Sequence, residues 1–477
     1  MNTSDGLGKN MFPEGVYRER RDGLRRRMQR GLVLLLGNQE SPINYCDNLY
    51  PFRQDSSFLY YLGISHPGIA ALIDVEASHA VLYGKALSME ETVWIGLQPS
   101  LEEMGARAGV QTVAEIAALP AALERARRSG RPIHFLPPYR TAGVLKLHQL
   151  LCIPLPDVKQ QASRALIEAV VAQRSLKSPR EVQQIETALA TTRRMHIKAM
   201  QLTQPGLYEL DIVSAMTSAA YSCSGARMAY APVFTIRGDI LHNHFQGNRM
   251  RTGDLVLNDA GAESPLHYAG DITRVIPVGG RFSERQKAVY NLVLNTQAHA
   301  IAAIKPGERF RDVHLAACLY LARGLKDLGL MQGDVEAAVR QGAHALFFPH
   351  GLGHMLGLDV HDMESLGEDV VGYGPDMERS TQFGLHNLRL ARTLAPGFVL
   401  TVEPGVYFIP QLIDRWRREG RFKNFINWPE VEKYKGFGGV RIEDDVLVTA
   451  DGCRILGEAI PRDAAEVEAL AGSSTAV

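Results

Sequence analysis

The sequence predicts an α/β protein made of two domains, the second of which contains two related halves. The chain has 477 residues, more than most single domains contain. Short apolar runs alternate with helical patterns in its first part. In its second part, a strand pattern that ends in a carboxylate occurs twice. We expect an N-terminal domain over residues 1–175 and a C-terminal domain over residues 176–477.

The N-terminal domain is indicated by apolar runs of strand length. The runs 32-LVLLLG-37 and 69-IAALIDV-75 are typical of buried strands, and residues 112–130 are typical of a helix. This alternation predicts a small α/β domain with a mixed or parallel sheet. A basic stretch at residues 14–30 precedes the first strand. We interpret it as a helix with a solvated face rather than a nucleic-acid-binding patch.

A helix-start signal marks the beginning of the C-terminal domain. Ser178 can cap the helix, Pro179 suits its first position, and Glu181 completes a capping box. A second capping box at residues 283–286 predicts another helix, which the Pro-Gly pair at 306–307 would end. We therefore place the domain boundary just before the first of these helices.

The internal duplication is visible in two pairs of segments. The segments 253-GDLVLNDAG-261 and 397-GFVLTVEPG-405 both contain a glycine, an apolar strand, an acidic residue six positions after that glycine, and a second glycine. Each is followed by an acidic residue that begins another strand, in 271-DITRVIPV-278 and 443-EDDVLVT-449. Because both copies share this spacing, we expect two halves related by a pseudo-twofold axis.

Four carboxylates occupy equivalent positions in the two copies: Asp259, Asp271, Glu403 and Glu443. If the halves face each other, these groups converge in a buried site, where unpaired anions are strongly unfavourable or become protonated. Arg274 and Arg441 lie nearby in the sequence and could neutralise part of this charge. Divalent cations neutralise it better, and His354 would complete five donors for two ions bridged by carboxylates.

His354 belongs to the histidine-rich stretch 349-PHGLGHMLGLDVHD-362, together with His350 and His361. Two histidines four residues apart suggest a zinc-binding helix, but Gly351 stands where that motif has glutamate. Each glycine in a helix interior costs about 1 kcal/mol. The stretch is therefore predicted to be loop and strand, and the other metal ligands must come from elsewhere in the chain.

Composition argues against several other classes of protein. Lys and Arg total 52 and Asp and Glu total 52, so charge gives no reason to expect binding to nucleic acid or to an anionic membrane. The first residues lack the apolar run of a signal peptide, and no run approaches the roughly 18–20 apolar residues of a membrane helix. The five scattered cysteines suit a reduced, cytoplasmic protein.

Four segments together resemble the pita-bread metallopeptidases, the family of prolidase and aminopeptidase P. They are residues 259–274, 350–362, 401–407 and 439–445. The N-terminal stretch 50-YPFRQDSSFLYYLGI-64 is also similar to that family's signature, so the resemblance covers nearly the whole chain. It implies a pita-bread catalytic domain, two divalent metal ions, and hydrolysis by a metal-bridged hydroxide of the peptide bond that precedes proline.

The resemblance implies a role for each residue that matches the family motifs. The metal ligands would be Asp259, Asp271, His354, Glu403 and Glu443. Glu403 would also act as general base toward the bridging water. His350 and His361 would steady the substrate and the charge that develops on its carbonyl oxygen. Arg441 would orient the neighbouring carboxylates.

Other residues are expected to bind the substrate. His242 resembles a substrate-side histidine, with His244 as the alternative. Tyr230 and Phe234 are both candidates for an aromatic contact with the substrate.

Substrate preference depends on the group attached to the carbonyl carbon of the proline. A dipeptidase must bind the free carboxylate of proline, whereas aminopeptidase P leaves that end open. In 383-FGLHNLRLARTLAPG-397, Arg389 resembles the prolidase arginine that clamps this carboxylate, and Arg392 is next in line. We therefore expect Xaa-Pro dipeptidase activity, with aminopeptidase P activity as the alternative.

The resemblance also sets expectations for cofactors and partners. Mn²⁺ is the expected metal, with Co²⁺ and Zn²⁺ as alternatives. The expected partner is a small peptide with proline at its second position, and a homodimer is the expected assembly. The competing class is a non-catalytic binding protein on the same fold, and the complete set of five ligands argues against it.

Overall fold

The chain forms two compact units in the computed structural model, which describes residues 11–223, 225–375 and 377–474. The division falls between Arg174 and Ser175, and the short segment Met363–Val370 groups with the first unit. Both units combine helices and strands, so the expected α/β class is confirmed.

The first unit contains a five-stranded sheet and seven α-helices within its described residues. Its strands are β1 (Leu32–Leu36), β2 (Ala70–Asp74), β3 (His79–Gly84), β4 (Thr112–Glu115) and β5 (Ile133–His134). Its helices are α1 (Glu14–Arg27), α2 (Ser56–Leu62), α3 (Met89–Ile95), α4 (Leu101–Arg107), α5 (Leu119–Arg128), α6 (Thr141–Leu151) and α7 (Arg164–Arg174).

The sheet of the first unit is mixed, as the sequence predicts. Its order is β4-β3-β2-β1-β5, in which β1 pairs antiparallel with β2 and parallel with β5. Side chains from alternate strand positions, including Leu34, Leu72 and Tyr83, form one core with Leu123 and Leu147 of the helices. Fully burying such a side chain contributes about 1.5–3 kcal/mol, so this core stabilises the unit.

The predicted helix over residues 112–130 is wrong in its first part. Thr112–Glu115 forms strand β4, which pairs in parallel with β3. The α-helix begins only at Leu119. Thr112 and Val113 are β-branched, and pairing at the edge of the sheet overrides the helical pattern that follows them.

Helix α1 has the solvated face that the sequence predicts, and it also has a buried side. Arg20 and Arg21 are buried. Arg20 Nη1 donates to the carbonyl of Tyr60 at 2.9 Å, and Arg21 Nη1 donates to the carbonyl of Tyr61 at 2.8 Å. Both carbonyls belong to the last turn of α2, whose backbone oxygens have no partner within the helix. These two arginines therefore stabilise the first unit.

The second unit is built from short sheets surrounded by longer helices. Its strands are β6 (Arg227–Met228), β7 (Val233–Thr235), β8 (Leu255–Ala260), β9 (Ala262–Glu263), β10 (Ile272–Pro277), β11 (Val399–Val402), β12 (Gly405–Tyr407), β13 (Gly439–Arg441), β14 (Asp444–Val448) and β15 (Cys453–Ile455). Its helices are α8 (Pro179–Leu202), α9 (Glu209–Tyr221), α10 (Glu284–Ala303), α11 (Phe310–Asp327), α12 (Val335–Gln341), α13 (Pro410–Arg418), α14 (Trp428–Glu432) and α15 (Ala464–Leu470).

The duplicated sequence pattern forms two antiparallel strand pairs, which confirms the expected repeat. Strand β8 pairs with β10, and β11 pairs with β14. A bridge between Thr273 and Glu443 joins the two pairs, and Glu443 N–H donates to the Thr273 carbonyl at 3.1 Å. The two halves therefore meet where the second strand of each pair begins.

Both predicted capping boxes are present. The Ser178 hydroxyl accepts the Glu181 N–H, and the Glu181 carboxylate accepts the Ser178 N–H. Ser283 and Gln286 form the same reciprocal pair at the start of α10. These caps satisfy backbone donors that a helix leaves unpaired at its N-terminus, so they fix where both helices begin.

Two further features of the described residues are the character of their helices and the state of their cysteines. Among them, no helix has the combination of length and apolar character that spanning a bilayer requires. All five cysteines carry free thiols, as their sequence spacing indicates.

Candidate active site

The histidine-rich loop, residues 349–362, lies beside strand β11. The loop is irregular rather than helical, as its glycines predict. Glu403 N–H, just beyond the strand, donates to the Leu352 carbonyl at 2.8 Å, and Thr401 N–H donates to the His354 carbonyl at 3.0 Å. These backbone bonds fix the position of His354 relative to Glu403.

Glycines allow this loop to approach its neighbours closely. A Cβ atom on Gly353 would lie 1.9 Å from the carbonyl oxygen of Thr401, so no side chain fits there. A Cβ atom on Gly351 would lie 3.3 Å from Cα of Leu388, the residue before Arg389. The loop therefore contacts both the strand that leads to Glu403 and the segment that carries Arg389.

Five donor side chains converge beside the loop: Asp259, Asp271, His354, Glu403 and Glu443. His354 Nε2 lies 3.4 Å from Asp271 Oδ2 and 3.7 Å from Glu403 Oε1. One ligand atom from each of Asp271, His354 and Glu443 lies within 4.8 Å of the other two. All five side chains are at most 18% exposed. The structure thus brings together every residue that the sequence proposes as a metal ligand.

The two halves of the unit hold these carboxylates in place. Asp259 lies in strand β8, and Asp271 immediately precedes β10. Asp271 N–H donates to Asp445 Oδ2 in the other half at 3.0 Å. Glu443 Oε2 accepts a hydrogen bond from Thr273 Oγ1 at 2.7 Å. Each half therefore positions a carboxylate that the other half supplies.

Tyr230 lies against the carboxylate cluster. Its hydroxyl is 2.7 Å from Asp259 Oδ1 and 2.5 Å from Asp271 Oδ1. Burial raises the pKa of Tyr230 well above its ordinary value, and the negative charges of the two aspartates raise it further. Phe234 is fully buried in β7. Of the two aromatic candidates, Tyr230 is therefore the one that contacts the cluster.

Burial and mutual repulsion perturb the pKa values of these carboxylates. Burial raises the pKa of Glu403 to about 7, and the charge of Asp271 adds to the increase. The same two causes raise the pKa of Glu443 well above its ordinary value. Burial also raises the pKa of Asp259, although the charge of Arg441 opposes it. The positive side chains of the protein therefore do not fully compensate the negative charge of this carboxylate cluster.

His354 supplies positive charge to the same cluster. Burial alone would lower its pKa, but the hydrogen bond to Asp271 and the charge of Glu403 raise it. Burial alone would raise the pKa of Asp271, but the hydrogen bond and charge of His354 lower it. The carboxylate oxygens and the imidazole nitrogen fit divalent metal ions, which would supply the positive charge that the protein groups lack.

Arg441 and Tyr407 connect Asp259 to His350. Arg441 Nη2 lies 2.5 Å from Asp259 Oδ2, and its Nη1 donates to the Tyr407 hydroxyl at 3.0 Å. The Tyr407 hydroxyl lies 2.8 Å from His350 Nε2, and His350 Nδ1 lies 2.8 Å from the Gly351 carbonyl. A carbonyl accepts only, so Nδ1 carries the proton and Nε2 accepts from Tyr407.

The sequence alone assigns no role to Tyr407. The available signal is its spacing, because it follows Glu403 by four residues on a strand, β12, that pairs with the strand of Arg441. Burial, together with the charge of Arg441, lowers the pKa of His350 to about 3, so this ring is neutral at pH 7.

Arg274 does not neutralise the cluster, although its sequence position suggests that it could. It is fully buried, and its guanidinium donates to Asp444 Oδ1 and to the backbone carbonyl of Glu443, both at 2.7 Å. Asp444 follows Glu443 in extended backbone, so the two side chains point to opposite faces. Arg441 is thus the arginine that pairs with a carboxylate of the cluster.

His361 and His242 are also near the site. The rings of His361 and His354 lie with centroids 4.4 Å apart. His242 is partly exposed, and its partial burial and then the charge of Arg441 lower its pKa. The charges of Asp259 and Arg389 also act on this pKa, so both groups are close enough to His242 to influence it.

Arg389 and Arg392 have different surroundings. Arg389 is partly buried in irregular backbone, not on a helix surface. Arg392 donates to the Val371 carbonyl at 3.3 Å, and its guanidinium lies 5.2 Å from the centre of the Phe398 ring. These two contacts make Arg392 a packing residue.

Comparison with known families matches both parts of the chain. Residues 183–450 match Metallopeptidase family M24, and residues 17–134 match the aminopeptidase P N-terminal domain. The first match contains all five converging donors, and the second lies within the first unit.

Individual relatives and solved structures agree with these matches. The human Xaa-Pro dipeptidase is 32% identical over 93% of this chain and 89% of its own length. An Xaa-Pro aminopeptidase of Haemophilus influenzae is 32% identical over 96% of this chain and 97% of its own length.

Two solved structures confirm the pita-bread fold. An aminopeptidase of Pseudomonas aeruginosa superposes with a TM-score of 0.79 at 29% identity, over 96% of this chain and 98% of that one. Escherichia coli aminopeptidase P with the inhibitor Pro-Leu superposes over the same shares with a TM-score of 0.78 at 28% identity. With a family match over more than half of its length and relatives above 30% identity along nearly all of it, this chain belongs to metallopeptidase family M24.

Proposed function

We propose that this chain is a dinuclear metal-dependent peptidase that hydrolyses Xaa-Pro dipeptides. The convergence of four carboxylates and His354 around one buried site carries the proposal. Membership of family M24 supports a hydrolytic, metal-dependent reaction. The dipeptidase and aminopeptidase relatives both carry names that specify Xaa-Pro substrates, which supports proline at the second position.

The five converging side chains would hold two divalent ions, with Mn²⁺ as the expected metal. Bound ions of this kind supply Lewis acidity and lower the pKa of the attacking water. Glu403 would take a proton from that water at a carboxylate oxygen and pass it to the proline nitrogen. The proline nitrogen carries no hydrogen in the peptide bond. It must gain a proton when the bond breaks in order to leave as an amine.

His350 and His361 would flank the reacting carbonyl group. His350 Nδ1 lies 3.9 Å from Glu403 Oε2, so the ring borders the position of the attacking water. Its contacts with Gly351 and Tyr407 fix one neutral tautomer. His361 packs against His354 from the other end of the loop. Fixed polar groups of this kind stabilise developing charge without having to reorganise during the reaction.

The dipeptide preference rests on the far end of the substrate. Arg389 belongs to a segment that approaches Gly351, next to His350, and its charge acts on the pKa of His242. A guanidinium there would bind the free carboxylate of proline with two parallel hydrogen bonds. Aminopeptidase P activity is the second candidate. The aminopeptidase folds that superpose along 96% of this chain favour it, and the two named relatives are equally identical at 32%.

The test of this proposal is a comparison of two substrates. We expect kcat/KM for Ala-Pro to exceed that for Ala-Pro-Ala, with both activities dependent on added Mn²⁺. A preference for the tripeptide would assign aminopeptidase P activity instead. Failure to cleave either peptide, with two ions bound per chain, would reject the peptidase proposal.

Metal content provides a second prediction. We expect two Mn²⁺ ions per chain in protein loaded with metal, and at most one in His354→Ala, because that imidazole completes the five-donor set. Elemental analysis after gel filtration measures this directly. The exposed His299→Ala serves as the matched control and should retain both ions. Two ions in His354→Ala would remove this residue from the ligand set.

Substitution of Arg389 provides a third prediction. A hydrogen bond to a charged group contributes about 1.5–3 kcal/mol, so Arg389→Ala should raise KM for Ala-Pro by about 10–100-fold at 1.4 kcal/mol per decade. In Ala-Pro-Ala the free carboxylate is one residue further from the scissile bond. The substitution should therefore raise KM for this peptide much less. The ratio of the two kcat/KM values is the measurement, because it cancels a general loss of folding or metal.

Arg392→Ala is the matched control for this substitution, since Arg392 has its own contacts with Val371 and Phe398. It should leave the substrate ratio unchanged. An equal loss for both peptides in Arg389→Ala would show that this residue does not bind the proline carboxylate.

A further inference from the structure

A second cluster of potential metal donors lies outside the carboxylate site. His314, Cys318 and His344 are each no more than 2% exposed, and one donor atom from each lies within 4.8 Å of the other two. His314 and Cys318 are four residues apart on helix α11, so they share one face of it. His344 comes from the turn Ala343–Leu346.

The polar atoms of this cluster are incompletely paired. Cys318 Sγ lies 3.3 Å from His314 Nε2. Nδ1 of His314 and Nδ1 of His344 are buried and have no hydrogen-bond partner among the described residues. Buried polar atoms are normally paired, and unpaired ones in a native structure point to a missing water or ion. One nitrogen of each imidazole is therefore unpartnered near a thiol, and imidazole and thiolate are together donors for a metal ion.

The protonation states of the three groups suit metal binding. Burial lowers the pKa of His314 to about 3 and that of His344 to about 4, so both imidazoles are neutral at pH 7. Neutral imidazoles offer lone pairs without competition from protons. Burial raises the pKa of the Cys318 thiol, so its proton would leave to solvent only when a metal ion takes its place.

We propose that His314, Cys318 and His344 bind one thiophilic metal ion, Cu⁺, at a site separate from the carboxylate centre. Thiolate and imidazole are donors that soft and borderline ions select. The charge argues for the monovalent ion: Cu⁺ replaces the thiol proton, and the resulting Cu⁺–thiolate unit with two imidazoles is neutral. Zn²⁺ would leave one uncompensated positive charge among three buried side chains, which is strongly unfavourable.

The distances are compatible with a single ion. Metal–sulfur and metal–nitrogen bonds of about 2.3 Å and 2.0 Å place such donors about 3.6 Å apart. Cys318 Sγ and His314 Nε2 are 3.3 Å apart, which is close to this separation. The donor atom of His344 lies within 4.8 Å of the other two donor atoms. A movement of this side chain by about 1 Å or less would bring it to bonding distance of the same ion.

The cluster also lies close to the active-site loop. The ring of Phe348 is 5.5 Å from the His314 ring and 4.8 Å from the His350 ring, measured between centroids. An ion that holds His314 would therefore restrain an aromatic wall of the active site.

The test is an anaerobic titration with Cu⁺ against a competing Cu⁺ chelator. The carboxylate centre is first loaded with Mn²⁺, and the exposed thiols are removed with Cys46→Ser and Cys152→Ser. We expect one tightly bound Cu⁺ per chain, with a thiolate-to-copper charge-transfer band in the ultraviolet. Cys318→Ser should lose this equivalent and the band, whereas the matched control Cys453→Ser should retain both.

Equal binding by the Cys318→Ser and parent proteins would overturn the proposal, as would selective binding of Zn²⁺ over Cu⁺ at this cluster. X-ray absorption of the parent protein provides a readout that does not depend on any variant folding. One sulfur and two nitrogen neighbours around copper are expected, and a sulfur-only environment would overturn the assignment. None of these measurements depends on peptidase activity.

Discussion

Replacing Glu403 with glutamine is expected to lower kcat on an Xaa-Pro substrate by about 10²–10⁴-fold, the usual contribution of a general base. The glutamine amide has nearly the same shape and can still donate an oxygen to metal. It cannot accept the proton of the attacking water at neutral pH. The backbone bond from Glu403 N–H to the Leu352 carbonyl does not involve the side chain, so the loop should keep its position.

The measurement is kcat at saturating substrate together with metal content, because Glu403 is also in the proposed ligand set. Glu336→Gln, at an exposed position on α12, is the matched control and should keep full activity. If Glu403→Gln binds both ions and retains near-normal kcat, the proton is taken by another group. Loss of metal from the variant would instead show that ligation by Glu403 is the larger part of its role.

The repeated strand pairs could be predicted from the sequence because their signal is local and occurs twice. Each copy has an apolar run, a carboxylate and a glycine at the same spacing, so the two segments support each other. Antiparallel pairing of β8 with β10 and of β11 with β14 then brings the carboxylates to one region. The irregular conformation of residues 349–362 could also be predicted from the sequence, because glycines disfavour a helix.

The residues that sequence reasoning missed act through contacts between distant parts of the chain. Tyr407 contacts His350 and Arg441, and the Tyr230 hydroxyl bonds to two aspartates. The spacing of Tyr407 from Glu403 places it near the site, but no sequence pattern shows which groups its hydroxyl contacts. Arg274 illustrates the reverse error, because proximity in sequence to Asp271 does not determine which face of a strand its side chain occupies.

Substrate length is the property that fold and ligand set leave open. Dipeptidase and aminopeptidase relatives are equally similar to this chain and share nearly its whole length. Both activities require the same treatment of the scissile bond, so the donors cannot distinguish them. Only groups that contact the substrate beyond proline can do so, and Arg389 is the residue proposed for that contact.

Removal of Arg274 is expected to lower the free energy of unfolding of the second unit by about 3–5 kcal/mol, as for other buried ion pairs that lose one partner. The Arg274 guanidinium donates to Asp444 and to the carbonyls of Thr273, Glu443, Ile460 and Pro461. In Arg274→Met the apolar side chain can fill much of the space, but these buried acceptors lose their donor. Urea unfolding at fixed metal concentration measures the change.

Arg462→Met is the informative control, because Arg462 contacts the same carboxylate at 3.0 Å but its side chain is 34% exposed. A partly exposed pair contributes about 1 kcal/mol or less, so this variant should remain close to the parent in stability. Equal losses in the two variants would mean that the charge of Asp444, and not the buried carbonyls, sets the effect. Because Arg274 also holds the Glu443 backbone, folded Arg274→Met should bind Mn²⁺ more weakly than folded Arg462→Met. Equal Mn²⁺ affinity in both would limit Arg274 to stabilising the fold.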